Sequence, residues 1–89
     1  MGTSRRPRPA RLASKLRQIR TMLGLTQEEL RDLLTTRKSP VYAGHVSEFE
    51  RGKREPSLLT LLAYARAARV SMDVLVDDKL ELPGKLSST

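Results

Sequence analysis

The lysines and arginines are the residues of this chain that most clearly suggest a binding function. The 89-residue sequence has 17 lysines and arginines against 10 acidic residues, a formal net charge of +7. The excess lies before residue 21, in a segment that contains no acid: Arg5, Arg6, Arg8, Arg11, Lys15, Arg17 and Arg20. A one-sided basic segment on a balanced body is typical of a polyanion binder. A solubilising tail is the alternative, and charge alone favours nucleic acid only slightly.

The residue types give little support for a catalytic site or a metal site. The chain has one histidine and no cysteine, so a disulfide framework is excluded and a zinc site would need mainly carboxylates. His45 and Ser47 could suggest a base and a nucleophile, but residues two apart on a helix do not face each other. We therefore expect no enzyme activity, no metal and no cofactor.

The length predicts one small domain. Residues 1–10, basic and containing two prolines, are predicted to be a flexible arm. Residues 11–76 are predicted to fold, and residues 77–89 to be a tail that is loop, frayed or in contact with a second copy. No apolar segment follows the basic start, and none approaches the length of a membrane span. We therefore expect no signal peptide, no membrane contact and a cytoplasmic location.

The elements that must position these residues are helices, because apolar residues recur three and four apart and no strand pattern is present. The expected apolar faces are Leu12, Leu16, Ile19 and Leu23; Leu30, Leu33 and Leu34; Tyr42, Val46 and Phe49; and Leu58, Leu61, Leu62, Ala65 and Ala68. A fifth helix, Met72 to Val76, is predicted after the cap Ser71. The sequence therefore predicts a compact all-α bundle of five helices.

The clearest local signal is LTQEEL at residues 25–30. Thr26 is an N-cap with Glu29 three residues later, a capping box, and Leu25 and Leu30 are spaced for a hydrophobic staple. Gly24 before it is suited to end the first helix, because glycine accepts a left-handed backbone. The second helix is therefore predicted to begin directly after Thr26.

With LGLTQEEL followed by VSEFERGKREPS, the chain resembles the phage repressor and Cro type of helix-turn-helix regulators, the Xre-like family. The resemblance extends from Leu12 to Val76 and rests on motifs that occur in the family's order. It implies that helices 2 and 3 form the helix-turn-helix, with helix 3 in the major groove of double-stranded DNA.

The resemblance also implies roles for individual residues. Ala43, Gly44 and Glu48 fall on base-reading positions, while Gln27, Arg51, Lys53 and Arg54 fall on phosphate-contacting positions. Arg20 and Glu50 match an ion pair that joins helix 1 to the end of helix 3; an exposed pair of little energetic value is the alternative. Gln27 could equally be an ordinary first-turn residue.

The predicted recognition helix carries unusual readers. With Tyr42, Val46 and Phe49 inward, helical spacing places Val41, Gly44, His45 and Glu48 outward and Ser47 on the flank. The strong bidentate pairs are arginine with guanine and glutamine or asparagine with adenine, and each discriminates against a wrong base by about 1–3 kcal/mol. None of these three residue types is among the outward residues. His45 could donate to guanine and Glu48 could accept from cytosine, so direct readout is predicted to be weak. Arg5, Arg6, Arg8 and Arg11 could add minor-groove or phosphate contacts as a basic arm.

The link between helices 2 and 3 departs from the family pattern by about five extra residues, against typical links of about 2–8. Ser39 and Pro40 have the types of an N-cap and a first helical residue. We therefore predict that helix 3 spans about residues 40–51 after an enlarged turn, residues 35–38, and that Arg37 and Lys38 lie at the DNA backbone.

The sequence predicts a sequence-specific DNA-binding transcriptional regulator that acts as a repressor. An antitoxin that regulates its own synthesis, or a protein-interaction module that has lost DNA binding, are the alternatives. Leu59 of helix 4, Leu75 of helix 5 and the tail residues Leu80 and Leu82 are expected to form an exposed patch for a homodimer or another protein, although scattered surface leucines are normal.

Overall fold

The computed structural model describes residues 9–84, and within them the chain forms five α-helices and no strand. The helices are α1 (Leu12–Leu23), α2 (Gln27–Leu34), α3 (His45–Glu50), α4 (Leu58–Ala68) and α5 (Met72–Val76). The all-α fold with five helices is therefore confirmed. Both α1 and α2 pack against α3 and α4, so α3 is held by two elements at once.

The predicted helix boundaries on either side of Gly24 are confirmed. Gly24 ends α1 with a φ of 72°, where a side chain would be strained. The Thr26 hydroxyl accepts from the Glu29 N–H at 3.1 Å, and the Glu29 carboxylate accepts from the Thr26 N–H at 2.9 Å. Because this capping box satisfies two N–H groups that the helix leaves free, α2 begins where the sequence predicts.

The predicted start of α3 near Pro40 is wrong. The helix begins at His45 after Gly44, whose φ is 88°, and residues 35–44 form a long connection without helix. Val41 is therefore buried, with 2% of its surface exposed, whereas Tyr42 is 60% exposed. A longer helix would have placed Val41 outward and Tyr42 inward, and the structure shows the reverse.

Ser39 has a tertiary partner instead of a helix to cap. Its hydroxyl lies 2.9 Å from the Ser57 Oγ and 3.1 Å from the Thr60 Oγ1, at the beginning of α4. The Thr35 hydroxyl accepts from the Val41 N–H at 2.9 Å, and the Thr36 hydroxyl accepts from the Ser39 N–H at 2.9 Å. These hydroxyl contacts supply the hydrogen bonds that a helix would otherwise have supplied.

One apolar core lies between the helices. Its members are Leu12, Leu16, Ile19, Leu30, Leu34, Val41, Val46, Phe49, Leu61, Tyr64, Ala65, Ala68, Leu75 and Leu82. Two leucines that we predicted inside, Leu33 and Leu58, are instead 55% and 71% exposed. The predicted dimer patch is also wrong in part, because Leu75 and Leu82 belong to this core.

The C-terminal segment packs on the start of α1, a contact that the apolar spacing could not reveal. The buried Lys15 ammonium donates to the carbonyl oxygens of Val74 at 2.7 Å and Asp77 at 2.9 Å. The Asp78 carboxylate accepts from the backbone N–H groups of Ala10 and Arg11, at 2.8 and 3.0 Å. A cation thus caps the end of α5, and an anion caps the start of α1, as the helix dipoles favour.

Arg11, predicted as part of the basic arm, belongs to this contact. It is the N-cap of α1, and its guanidinium donates to the Asp78 carbonyl at 2.9 Å and lies 3.7 Å from the Glu81 carboxylate. The grouping of Arg11 with a free arm is therefore wrong, since its charge is directed to the tail. Arg5, Arg6 and Arg8 lie outside the described residues.

The Asp78 contact predicts an acid-sensitive contribution to stability. Hydrogen bonds from the N–H groups of Arg11 and Ala10 lower the pKa of Asp78, so its contribution is present above the unfolded pKa of about 3.9 and is lost as pH falls through the folded pKa. Asp78→Asn should be less stable than the wild type at neutral pH, with a difference that shrinks below about pH 4. Urea unfolding over this pH range would measure it. Glu28→Gln, on the exposed face of α2, is the control, and a gap that does not change with pH would contradict the assignment.

Candidate nucleic-acid interface

The exposed side of α3 and the residues just before it form the candidate reading surface. Val46 and Phe49 are buried under the helix, while Ser47 and Glu48 remain half-exposed. Ala43 and Gly44 are exposed but precede the first helical turn. The predicted base-contacting set is therefore divided between the end of the long α2–α3 connection and a six-residue helix.

The N-terminal turn of α2 lies beside this surface. A cleft of about 350 Å³ runs between the two elements and is lined by Gln27, Glu28, Arg31, Ala43, Gly44, Val46 and Ser47. Sequence reasoning missed Glu28 and Arg31, because nothing in their local pattern distinguishes them from solvated helix residues. The cleft brings the predicted phosphate residue Gln27 and the predicted base residues Ala43, Gly44 and Ser47 onto one side of the molecule.

Arg20 and Glu50 lie together and join three helices. The Arg20 Nε and Nη2 donate to the two carboxylate oxygens of Glu50, at 2.7 and 3.1 Å, and the Gln27 amide donates to the same carboxylate at 3.2 Å. The Glu50 side chain is 4% exposed and that of Arg20 21%. The hydrogen bond to Glu50 raises the pKa of Arg20 further. A bidentate, largely buried pair restrains α3 against both α1 and α2.

The end of α3 presents three exposed cations, Arg51, Lys53 and Arg54. The chain leaves the helix through Gly52 at a φ of 73°, and the Lys53 N–H donates back to the Glu48 carbonyl at 2.9 Å. This turn places all three cations within four residues of one another, next to the reading surface.

One of these cations is paired with a predicted base reader. The Arg54 Nε donates to the Glu48 carboxylate at 2.6 Å, and this hydrogen bond lowers the pKa of Glu48. In this arrangement the charge of Arg54 is partly neutralised, and the carboxylate of Glu48 faces an arginine. The pairing joins residues six apart across the helix end, where helical spacing alone does not apply.

His45 has a structural partner at the start of α3. Its Nδ1 accepts from the Tyr42 N–H at 3.2 Å, and its ring meets the Tyr42 ring edge-on, with centroids 5.5 Å apart. With Nδ1 accepting, the neutral imidazole carries its proton on Nε2. Tyr42, which we predicted to be inward, is therefore exposed and packs on His45.

Arg37 and Lys38 are not grouped with these residues. Together with Leu59 and Arg66 of α4 they line a different groove. The prediction that they lie beside the recognition helix depended on the helix starting near Pro40, and that start is wrong.

Within residues 9–84, no three histidine, aspartate or glutamate side chains lie close enough to hold a metal ion, and none of the helices described there is long and apolar enough to cross a membrane. A family model described as helix-turn-helix matches residues 16–75. No curated protein matches the chain significantly. The matched range begins in α1 and ends in α5, so it includes every helix of the interface.

Proposed function

Because the chain belongs to the helix-turn-helix family of Xre and phage-repressor type proteins, we propose that it is a sequence-specific DNA-binding transcriptional regulator that acts as a repressor. The observation that carries the proposal is the Arg20–Glu50–Gln27 network. A nearly buried carboxylate that ties α3 to two other helices is expensive to desolvate. Such a network supports a role in which the orientation of α3 matters, as it does for a helix that enters the major groove.

We assign direct base contacts to Ala43, Gly44, His45, Ser47 and Glu48. The His45 Nε2 proton can be donated to the O6 or N7 of guanine, and the methyl of Ala43 can contact that of thymine. Gly44 has no side chain and lets the backbone approach the groove. With no arginine, asparagine or glutamine among the readers, sequence discrimination by one copy is expected to be small.

We assign phosphate contacts to Gln27, Arg51, Lys53 and Arg54. The Gln27 amide has two N–H groups and donates one to Glu50, so the second can be donated to a phosphate at the start of α2, where the helix dipole also favours an anion. Arg51 and Lys53 have exposed cationic side chains next to α3. These contacts position the helix without carrying sequence information.

We further propose that two copies bind a symmetric operator. The support is that α3 has six residues and is expected to make few base contacts. A second copy on a half-site about 34–36 Å away would double the number of these contacts. Sedimentation of the chain with and without a selected DNA checks this. A monomer that binds one asymmetric site would contradict the symmetric arrangement.

Selection of bound sequences from a random duplex library tests the function as a whole. Enrichment of a short motif, lost with Ser47→Arg or Glu48→Arg on α3 but kept with Lys79→Glu on the tail, would support sequence-specific recognition. No enrichment at about 50 mM salt, where phosphate contacts are strong, would favour the protein-interaction alternative. The absence of any effect on transcription from a promoter that contains the enriched motif would contradict repression.

Glu48→Gln is expected to strengthen binding to DNA of any sequence and to shift the preference at one base position away from cytosine toward adenine. The change removes a carboxylate that repels phosphates and releases Arg54 from its 2.6 Å contact. The salt slope should stay nearly unchanged, because Arg54 is already counted among the phosphate contacts of the wild-type complex and no further contact is added. Gel shifts on selected and scrambled duplexes measure both effects. Glu28→Gln, near the cleft but unpaired with Arg54, is the control, and a preference that survives Glu48→Gln intact would remove Glu48 from the readers.

A further inference from the structure

An apolar groove lies between the end of α2 and α4, away from the reading surface. It has a volume of about 710 Å³ and is lined by Leu33, Thr36, Arg37, Lys38, Leu59, Leu62, Ala63, Arg66 and Ala67. Leu33 and Leu59 are 55% and 50% exposed. Two leucines that face solvent in one concave site form a continuous apolar surface, which differs from scattered surface leucines.

The charges around this groove have one sign. Arg37, Lys38 and Arg66 are all exposed, and no acidic side chain is among the lining residues. Within residues 9–84, none of these three cations forms an ion pair. The long α2–α3 connection supplies two of them, so the departure from the family's usual link creates this basic rim.

We propose that the groove is a docking site for an acidic amphipathic helix of another protein. The apolar floor of the groove is about as long as α4. It suits a helix whose leucine-like residues are spaced three and four positions apart and so lie on one face. The basic rim selects carboxylates on the flanks of that helix, because opposite charges steer and align partners. The site is independent of the DNA contacts, since none of the proposed DNA-contacting residues lines it.

The segments at residues 1–8 and 85–89 do not match the charge of this groove. Residues 1–8 contain three arginines and no acid, and residues 85–89 contain a lysine and no acid. Either segment would meet Arg37, Lys38 and Arg66 with like charge, which is unfavourable. Charge complementarity therefore points to a separate acidic partner.

Peptide binding to the full chain tests the proposal. Three amphipathic peptides of about 16 residues, long enough to form a helix, share one leucine face and carry glutamate, glutamine or lysine on the flanks. Fluorescence polarisation should rank their affinities in that order, and backbone NMR shifts should change at Leu33, Leu59 and Arg66. A peptide with the glutamate composition but a scrambled order should bind at least about tenfold more weakly, because it loses the apolar face.

Neighbouring residues on α4 supply a matched pair of variants. Leu59→Asp should weaken the glutamate peptide about tenfold or more, since it places a carboxylate in the groove. Leu58→Asp, which is one residue away and outside the groove, should leave the affinity unchanged. Equal effects of the two variants, or equal affinity for the glutamate and lysine peptides, would overturn the proposal.

A second measurement separates this groove from DNA binding and from self-association. The double variant Arg37→Ala, Lys38→Ala should weaken the glutamate peptide and leave the salt slope of DNA binding unchanged. A slope reduced by about 1.8, two phosphate contacts, would assign both residues to DNA and contradict the proposal. Self-association of the wild-type chain that Leu59→Asp abolishes and Leu58→Asp does not would mean that a second copy occupies the groove, which also contradicts it.

Discussion

Arg20→Ala is expected to destabilise the fold by about 2–4 kcal/mol, because it removes one partner of a largely buried charge pair. Among residues 9–84, the Glu50 carboxylate, 4% exposed, would keep only the amide of Gln27 at 3.2 Å. The Leu25 carbonyl would also lose the Arg20 Nη1 donor at 3.0 Å. For a domain of this size each kcal/mol changes Tm by about 4–8 °C, so thermal unfolding should show a fall in Tm of at least about 8 °C.

Arg31→Ala is the matched control for this prediction. Arg31 pairs with its neighbour Asp32 at the surface, and an exposed pair contributes only about 0–1 kcal/mol. The double variant Arg20→Ala, Glu50→Leu should be more stable than the sum of its single changes, because it leaves no buried charge without a partner. An unchanged Tm of Arg20→Ala, or strict additivity, would contradict the role assigned to the pair.

Removing the positive charges of Arg51, Lys53 and Arg54 together is expected to reduce DNA affinity about a thousandfold at roughly 50 mM salt. Each lost phosphate contact should lower the log–log salt slope by about 0.9, and three contacts by about 2.7. The loss should be similar on selected and scrambled duplexes, because phosphate contacts do not read sequence. Fluorescence anisotropy over a range of salt concentrations gives both quantities.

The control removes three positive charges elsewhere, with Arg66→Ala, Arg69→Asn and Lys79→Ala. Asparagine is chosen at Arg69 because the residue has a φ of 59°, which asparagine tolerates better than alanine. This variant should change the salt slope little. A slope reduced by only about 1.8 in the first variant would mean that Arg54 keeps its contact with Glu48 in the complex, and equal slopes for the two variants would refute localised phosphate contacts.

Short sequence patterns predicted the ends of helices correctly wherever no distant residue offered alternative hydrogen bonds. The capping box at Thr26 and the glycine after Leu23 determine helix ends through bonds made within a few residues, so sequence alone locates them. The ion pair of Arg20 and Glu50, in contrast, joins residues 30 apart, and its prediction depended on the family resemblance. Lys15 and Asp78 were missed because each interacts with a distant helix end, to which no local pattern points.

The error at Ser39 has a physical cause. Serine before proline is a good start for a helix, but the hydroxyls of Ser57 and Thr60 offered Ser39 two other partners. Burial of Val41 in the core then favours an extended connection over a longer helix. The positions of His45, Ser47 and Glu48 follow from α3, while those of Arg37 and Lys38 depend on the connection, where the predicted helix start was wrong.

The hydroxyl contacts at the two ends of this connection also have an evolutionary consequence. Thr35 holds Val41, Thr36 holds Ser39, and Ser39 contacts α4, so none of these contacts uses the side chains of Arg37 and Lys38. Insertions or exchanges there can alter the groove beside α4 while the register of α3 is preserved. If the groove and α3 have the functions proposed above, mutation and selection can change the partner that the groove binds without changing the DNA sequence that α3 reads.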